Sequence, residues 1–240
     1  MALIPRLPIG FHDITSIYLT NPNDVNGIND VTIPFQNAIN YCRDNDLTLC
    51  LPENTRYRII NTLKWYQTDA AGQWVSDGAF GLVGENRGGT KPEIFLDSGA
   101  SANGFGIESL SHKPMIHFLK SKPIGGVGPT VYPPVEEDAM TFFAFFIKNI
   151  KLTGGGFGNC HILHADGAQD CSISDVDIDA TDCYCAISGW PGRGSATRNI
   201  NITGINYKYG FKQEHPYAGT PNVALIGLGC LLYTSDAADE

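Results

Sequence analysis

One six-residue pattern recurs down the second half of the chain and constrains its fold more than any other feature. Residues 147–152 read IKNIKL, 173–178 ISDVDI, 197–202 TRNINI and 220–225 TPNVAL. The shared form is Ile or Thr, any residue, Asn or Asp, Ile or Val, any residue, Ile or Leu. Its fourth position falls at Ile150, Val176, Ile200 and Val223, spacings of 26, 24 and 23 residues. A short-strand repeat of that length is the signature of a solenoid, in which each unit buries its apolar face only against its neighbours.

The residues inside the repeat show where the chain bends. Positions four and six are apolar and position five is polar, the alternation of a strand with one buried face. The first position lies three residues before the fourth, which breaks that alternation, so a bend falls near position three. Asn149, Asp175, Asn199 and Asn222 occupy it. Asn and Asp tolerate the left-handed backbone that a tight bend requires. Stacked units would set these four residues above one another, with side-chain amides bonding along the column. Gly154, Gly204 and Gly227 follow three of the four copies. A second set of strands is expected about half a unit later, at 160–164, 184–188 and 209–211, pairing in parallel from unit to unit.

Upstream, residues 1–29 are rich in Asn, Pro and Asp and are expected to form an irregular arm. Phe35, Ala38, Ile39 and Cys42 follow the i, i+3, i+4, i+7 spacing of a short amphipathic helix. Thr32 would be its N-cap, Pro34 fits its first turn and Asn45 would stop it. That helix would cap the first unit. Residues 47–51 alternate as a strand that Pro52 ends, and further short strands are expected at 57–60, 79–84 and 93–96. One helix followed by many short strands argues against a doubly wound sheet.

Bulk properties narrow the partners. The 240 residues are 42% hydrophobic and 17% charged, a globular balance. The net charge of −9 disfavours a nucleic-acid partner. No apolar run approaches the roughly 20 residues that span a membrane, and the start has no secretory h-region. Residues 230–240 read like one frame of a common sequencing-library adapter, so they are expected to be a tail outside the fold. The remaining cysteines, Cys42, Cys50, Cys160, Cys171, Cys183 and Cys185, form no pair of CxxC motifs and are expected to be buried thiols. His161 and His164 do not make the HExxH zinc pattern, so no metal or cofactor is expected.

These features resemble a known superfamily. Asp30, Thr32, Phe35, Ala38, Ile39, Leu49, Pro52 and the Tyr57-Arg58-Ile59 strand look like the opening of the pectate-lyase superfamily domain. The segment 189–194 (GWPGRG), then 199–204 (NINITG) and Tyr209-Gly210, is similar to the first β-helix of glycoside hydrolase family 55, the exo-β-1,3-glucanases. The usual acidic pair before the helix reads Asn29-Asp30 here, and Asn45 replaces the glycine after it. The resemblance covers roughly residues 28–229 and implies an all-β, right-handed parallel β-helix with an N-terminal capping helix over 30–229. It also implies that the fold is incomplete, with further C-terminal coils missing. Family members resemble two tandem β-helices with the acidic catalytic residue in the second, so no catalytic residue is carried over and this portion is expected to be inactive. Extracellular or cell-surface placement follows from the same resemblance.

The turns leaving the second strand set would stack along one edge. They hold His164 and Asp166, then Trp190 and Arg193, then Glu214, His215 and Tyr217. Aromatic rings beside charged groups suit a sugar-binding cleft, where ring faces stack on pyranose C–H surfaces. Asp177, Asp179 and Asp182 are weaker acidic candidates for a carboxylate pair of the kind glycosidases use. Three functions fit: a glycoside hydrolase on β-1,3-glucan or a related polymer, a polysaccharide lyase that would need calcium and a Lys or Arg base, and a non-catalytic binding or tailspike-like β-helix.

Overall fold

The computed structural model describes residues 10–66, 81–109, 111–119, 145–165, 170–189, 195–212, 224–226 and 229–230. Its strands, in chain order, begin with β1 (Gly10–Asp13), β2 (Asn26–Asp30), β3 (Leu47–Leu51), β4 (Arg56–Ile59), β5 (Leu63–Tyr66) and β6 (Gly81–Gly84). They continue with β7 (Glu93–Leu96), β8 (Lys113–Leu119), β9 (Phe146–Lys148), β10 (Lys151–Thr153), β11 (Cys160–Ala165) and β12 (Ser172–Asp179). The last are β13 (Cys185–Ser188), β14 (Ala196–Thr203), β15 (Tyr209–Lys212), β16 (Ala224–Ile226) and β17 (Gly229–Cys230). Helix α1 (Thr32–Asp44) lies between β2 and β3. Twelve strands form one sheet and five, β5, β8, β11, β13 and β15, form another. Every strand pairing among the described residues is parallel.

The larger sheet is bent along the Asn/Asp column. Residues 172–174 of β12 pair with β9, and residues 177–179 pair with β10. Asn149, Asp175 and Asn199 sit at that break with φ of 54°, 58° and 53°. The left-handed turn re-aims the strand, so one long strand serves two ladders. The column is bonded as well as stacked: Asn199 Nδ2 donates to Asp175 Oδ1 at 2.9 Å, and Asn149 Nδ2 donates to the Gly84 carbonyl at 3.2 Å.

The strand periodicity then builds the core. Tyr57, Ile94, Leu152, Ile178 and Ile202 lie in register across five strands. Each is at most 1% exposed. Trp65, Phe118 and Phe145 stack through the interior with centroids 4.9 and 4.5 Å apart. Helix α1 buries Phe35, Ala38, Ile39 and Cys42 and packs against β3 and β5. Its Phe35 ring meets Tyr57 edge-on at 5.5 Å. The recurring glycines are explained by crowding between units. A Cβ at Gly154 would overlap Cys183 Sγ and Ile162. Gly204 has φ 120°, and a Cβ there would lie 2.5 Å from the Thr181 backbone nitrogen. The result is a strongly curled, mostly parallel all-β sheet with little helix.

Three expectations change. The N-terminal arm is not wholly irregular, because β1 and β2 pair with β3 and β4. Thr32 does not cap α1: Asp30 Oδ1 accepts from Thr32 N at 3.0 Å, while Thr32 Oγ1 accepts from Ile60 N at 2.9 Å. The aspartate reaches the first free N–H and releases the threonine to tie the helix to β4's end. The fourth repeat is also out of its expected phase. Thr197 pairs with Leu225 and Asn201 with Gly229, a spacing of 28 residues where the repeat led to an expectation of 23. Positions 222 and 227 lie outside the described residues. No described helix is long and apolar enough to cross a membrane, which says nothing of a β-barrel.

Candidate functional site

The outward positions of the second ladder carry the chemistry. Opposite the buried row, Arg56, Glu93, Lys151, Asp177 and Asn201 stand in register on β4, β7, β10, β12 and β14. One strand's outward residue thus neighbours the next across about 4.8 Å. The row alternates in charge from Arg56 to Asp177. With Asn54, Thr55, Thr90 and Lys91, the side chains of Arg56, Glu93, Lys151 and Asp177 line an open cleft of about 510 Å³.

Glu93 is the centre of the cleft. Its carboxylate takes hydrogen bonds from Arg56 Nε and from Thr153 Oγ1, the latter at 2.6 Å, and Lys151 Nζ lies 3.1 Å away. Burial alone would push this carboxyl up, but the bonds from Thr153, Arg56 and Lys151 outweigh it and hold it below the ordinary glutamate value. Arg56 is fixed on its other side by the Phe95 ring, 4.3 Å from its guanidinium carbon. Asp177 pairs with Lys91 at 2.8 Å. The loop that carries Lys91 is strapped to the turn before β4: Glu53 Oε2 accepts from Arg87 N and Gly89 N at 2.9 and 2.8 Å, and Asn54 Oδ1 accepts from Thr90 N at 2.9 Å. Three cations and two carboxylates therefore face a common space in a chain whose net charge is −9.

Of the acidic candidates, Asp177 lies in this cleft. Asp179 serves a turn, accepting from Thr181 N at 3.1 Å and Thr181 Oγ1 at 2.7 Å. Asp182, with φ 54°, accepts from Asn206 Nδ2 at 2.8 Å and belongs to a second bent column. Asp166, Trp190, Arg193, Glu214, His215 and Tyr217 lie outside the described residues.

His164 is on the smaller sheet and fully buried. It stands in register with Lys64, His117, Ser188 and Lys212 across that sheet. Its Nδ1 is 2.9 Å from Ser188 Oγ, and its ring meets His117 edge-on at 4.6 Å. Burial pushes His117 well below the ordinary histidine value, helped by His164 and Lys64. Burial likewise lowers His161 to about 2, with His164, His112 and Lys212 adding to it. His117 and His161 are therefore neutral interior groups. Among the described residues no group of three His, Cys, Asp or Glu side chains is arranged to hold a metal ion.

Sequence reasoning missed Arg56, Lys91 and Glu93. Their local signal is the alternation in RYRI and EIFL, which marks Arg56 and Glu93 as outward. Fold and cleft together define an all-β protein of stacked parallel strands with a charged groove on its outer face. No family model, no curated protein and no solved structure matches the chain.

Proposed function

We propose that this chain is the polymer-holding part of a right-handed parallel β-helix protein that degrades polysaccharide outside the cell or at its surface. The observation that carries the proposal is the row Arg56–Glu93–Lys151–Asp177, one polar side chain per strand along an open face. A stacked sheet repeats its outward donors and acceptors at a fixed interval, which suits a ligand that is itself a repeating chain of hydroxyls. The first assignment is a glycoside hydrolase acting on β-1,3-glucan or a related polymer. Glu93 and Asp177 stand two strands apart on this row, so two carboxylates face one bound chain. Glu93 is ionised and occupied by three donors, so its part is to position the chain, not to donate the proton. A second assignment, a lyase on uronic-acid polymers, is supported by the excess of Arg56, Lys91 and Lys151 over the two carboxylates.

The test titrates laminari-oligosaccharides and oligogalacturonides against the chain, with Lys151→Ala and Asp177→Asn alongside. Binding weakened at least tenfold by either change supports the cleft, and the preferred oligosaccharide chooses between the two assignments. Binding that neither change affects, or no binding to either ligand, sinks the proposal. On the full-length protein, reducing ends without ultraviolet-absorbing products mark hydrolysis, and unsaturated ends mark a lyase.

A further inference from the structure

The rim of the cleft is held from a turn that lies outside the charged row. Residues 85–92 join β6 to β7 and carry Lys91, and they have no helix or strand of their own. They close instead on Glu53 and Asn54, in the turn between β3 and β4. Glu53 Oε2 accepts from Arg87 N at 2.9 Å and from Gly89 N at 2.8 Å. Gly88 lies between them with φ 107°, and that left-handed residue lets both flanking N–H groups reach one oxygen. N–H groups that converge in this way form a concavity for an anion. Here the chain's own carboxylate fills it.

Asn54 continues the contact. Its backbone has φ 60°, and its N donates to the Thr90 carbonyl at 2.9 Å. Its Oδ1 accepts from Thr90 N and Thr90 Oγ1 at 2.9 and 3.1 Å. Those two donors fix which end of the amide is the oxygen, so Nδ2 is the end left to donate. Asn54 is exposed and lines the cleft with Lys91. Gly89 leaves room for this arrangement: a Cβ there would lie 2.5 Å from Asn54 Nδ2 and 2.8 Å from the Glu53 carboxyl carbon. Lys91 reaches from the same loop to Asp177, whose strand β12 is two places from β7 in the sheet. An ion pair this open to solvent contributes little by itself, so its geometry depends on where the loop backbone is held.

We propose that Glu53 is a positioning residue of the cleft: it closes the 85–92 loop and so presents Asn54 Nδ2 and Lys91 Nζ as donors to the acceptor oxygens of a bound saccharide. The inference rests on the cleft being the polymer-holding face. Glu53 is not among the side chains that line the cleft, so it acts through the loop alone. What it supplies is an acceptor for two N–H groups. A glutamine at 53 can still accept both through its one carbonyl oxygen, and an alanine can accept neither.

The test compares Glu53→Ala and Glu53→Gln with the wild-type chain in two readouts. The first needs no ligand: limited acetylation of Lys91, mapped by mass spectrometry, with exposed Lys148 as the control. Glu53→Ala should raise Lys91 labelling by about twofold to fivefold with Lys148 unchanged, and Glu53→Gln should match wild type. The second is affinity for laminari-oligosaccharides and oligogalacturonides. It should fall about tenfold in Glu53→Ala and stay within about twofold of wild type in Glu53→Gln. Where Glu53→Ala does not fold, Glu53→Asp replaces it, since its carboxylate is one methylene too short to reach both N–H groups. Unchanged Lys91 labelling in the alanine variant overturns the inference whatever the affinities. So does equal damage from Glu53→Gln, because charge and not placement would then be what Glu53 supplies. Unchanged affinity in Glu53→Ala where Lys151→Ala weakens binding also overturns it, and leaves the cleft standing. A wild-type chain that binds neither oligosaccharide fails the cleft reading instead, and raised Lys91 labelling in Glu53→Ala then still supports Glu53 as the residue that places Lys91.

Discussion

The side-chain amide of Asn199 donates to Asp175 Oδ1 at 2.9 Å, and both residues hold left-handed backbones. The same pairing recurs between Asn206 and Asp182 at 2.8 Å, again with both residues left-handed. Each bent residue therefore turns its own strand and bonds to the unit beside it. Glycine can do only the first, and a β-branched residue can do neither.

That division predicts a graded loss at position 199. Asn199→Gly keeps the bend and loses the bond, costing about 1 kcal/mol. Asn199→Val loses both, costing about 3 kcal/mol. Urea unfolding midpoints check the order. Equal losses for the two variants would show that the bend itself carries no cost.

The glycines after the repeat predict a second ordering. At Gly204 an alanine meets backbone and a positive φ, neither of which can yield, whereas at Gly154 it meets the side chains of Cys183 and Ile162. Gly204→Ala should cost about 3 kcal/mol and Gly154→Ala about 1–2 kcal/mol. Thermal denaturation of the two variants decides it, and a smaller drop in Tm for Gly204→Ala would contradict the packing described.

The buried histidines make stability depend on pH near neutrality. His117 and His161 have folded values below the ordinary 6.5, His161 at about 2, so the unfolded chain binds more protons below that pH. Their contribution is full above pH 6.5 and declines as pH falls, by about 1.4 kcal/mol per pH unit for each histidine. Urea titrations from pH 7.5 to 5 should show this slope, and His161→Gln should remove about half of it. A flat profile over that range would rule it out.

Glu93 acts in a lower window. Its folded value is depressed, so its contribution is complete above the unfolded glutamate value of about 4.3 and is lost as pH falls through the folded one. Glu93→Gln leaves Arg56 and Lys151 without their shared partner and should cost about 1–3 kcal/mol at pH 7. The gap between wild type and variant should narrow below pH about 4.3. Acid titration followed by circular dichroism measures the gap, and one that stayed constant from pH 6 to 2 would place the stabilisation elsewhere.

Much of the strand order was visible locally. Strands at 47–51 and 93–96 follow from alternation and flanking turns, the strand at 160–164 from its half-unit distance beyond the repeat, and the left-handed residues at 149, 175 and 199 from an apolar spacing of three where two was due. Strand β8 was not read, because its apolar residues are buried on both faces and show no alternation: Met115, Ile116 and Phe118 are each 0% exposed. The phase of the last unit was misread because its spacing of 28 departs from the 24 to 26 of the units before it.

The sequence by itself determined the period, the bends and which side chains face inward, because each depends on neighbours within a few residues. Tertiary structure alone decided which outward side chains meet. Tyr57 pairs with Ile94 across 37 residues, and Ile94 with Leu152 across 58, far from the 24 to 26 of the later units. Insertions of that size hide the register from any pattern. Burial of the apolar row fixes it, and once Tyr57, Ile94 and Leu152 are aligned on the inside, Arg56, Glu93 and Lys151 are brought together on the outside.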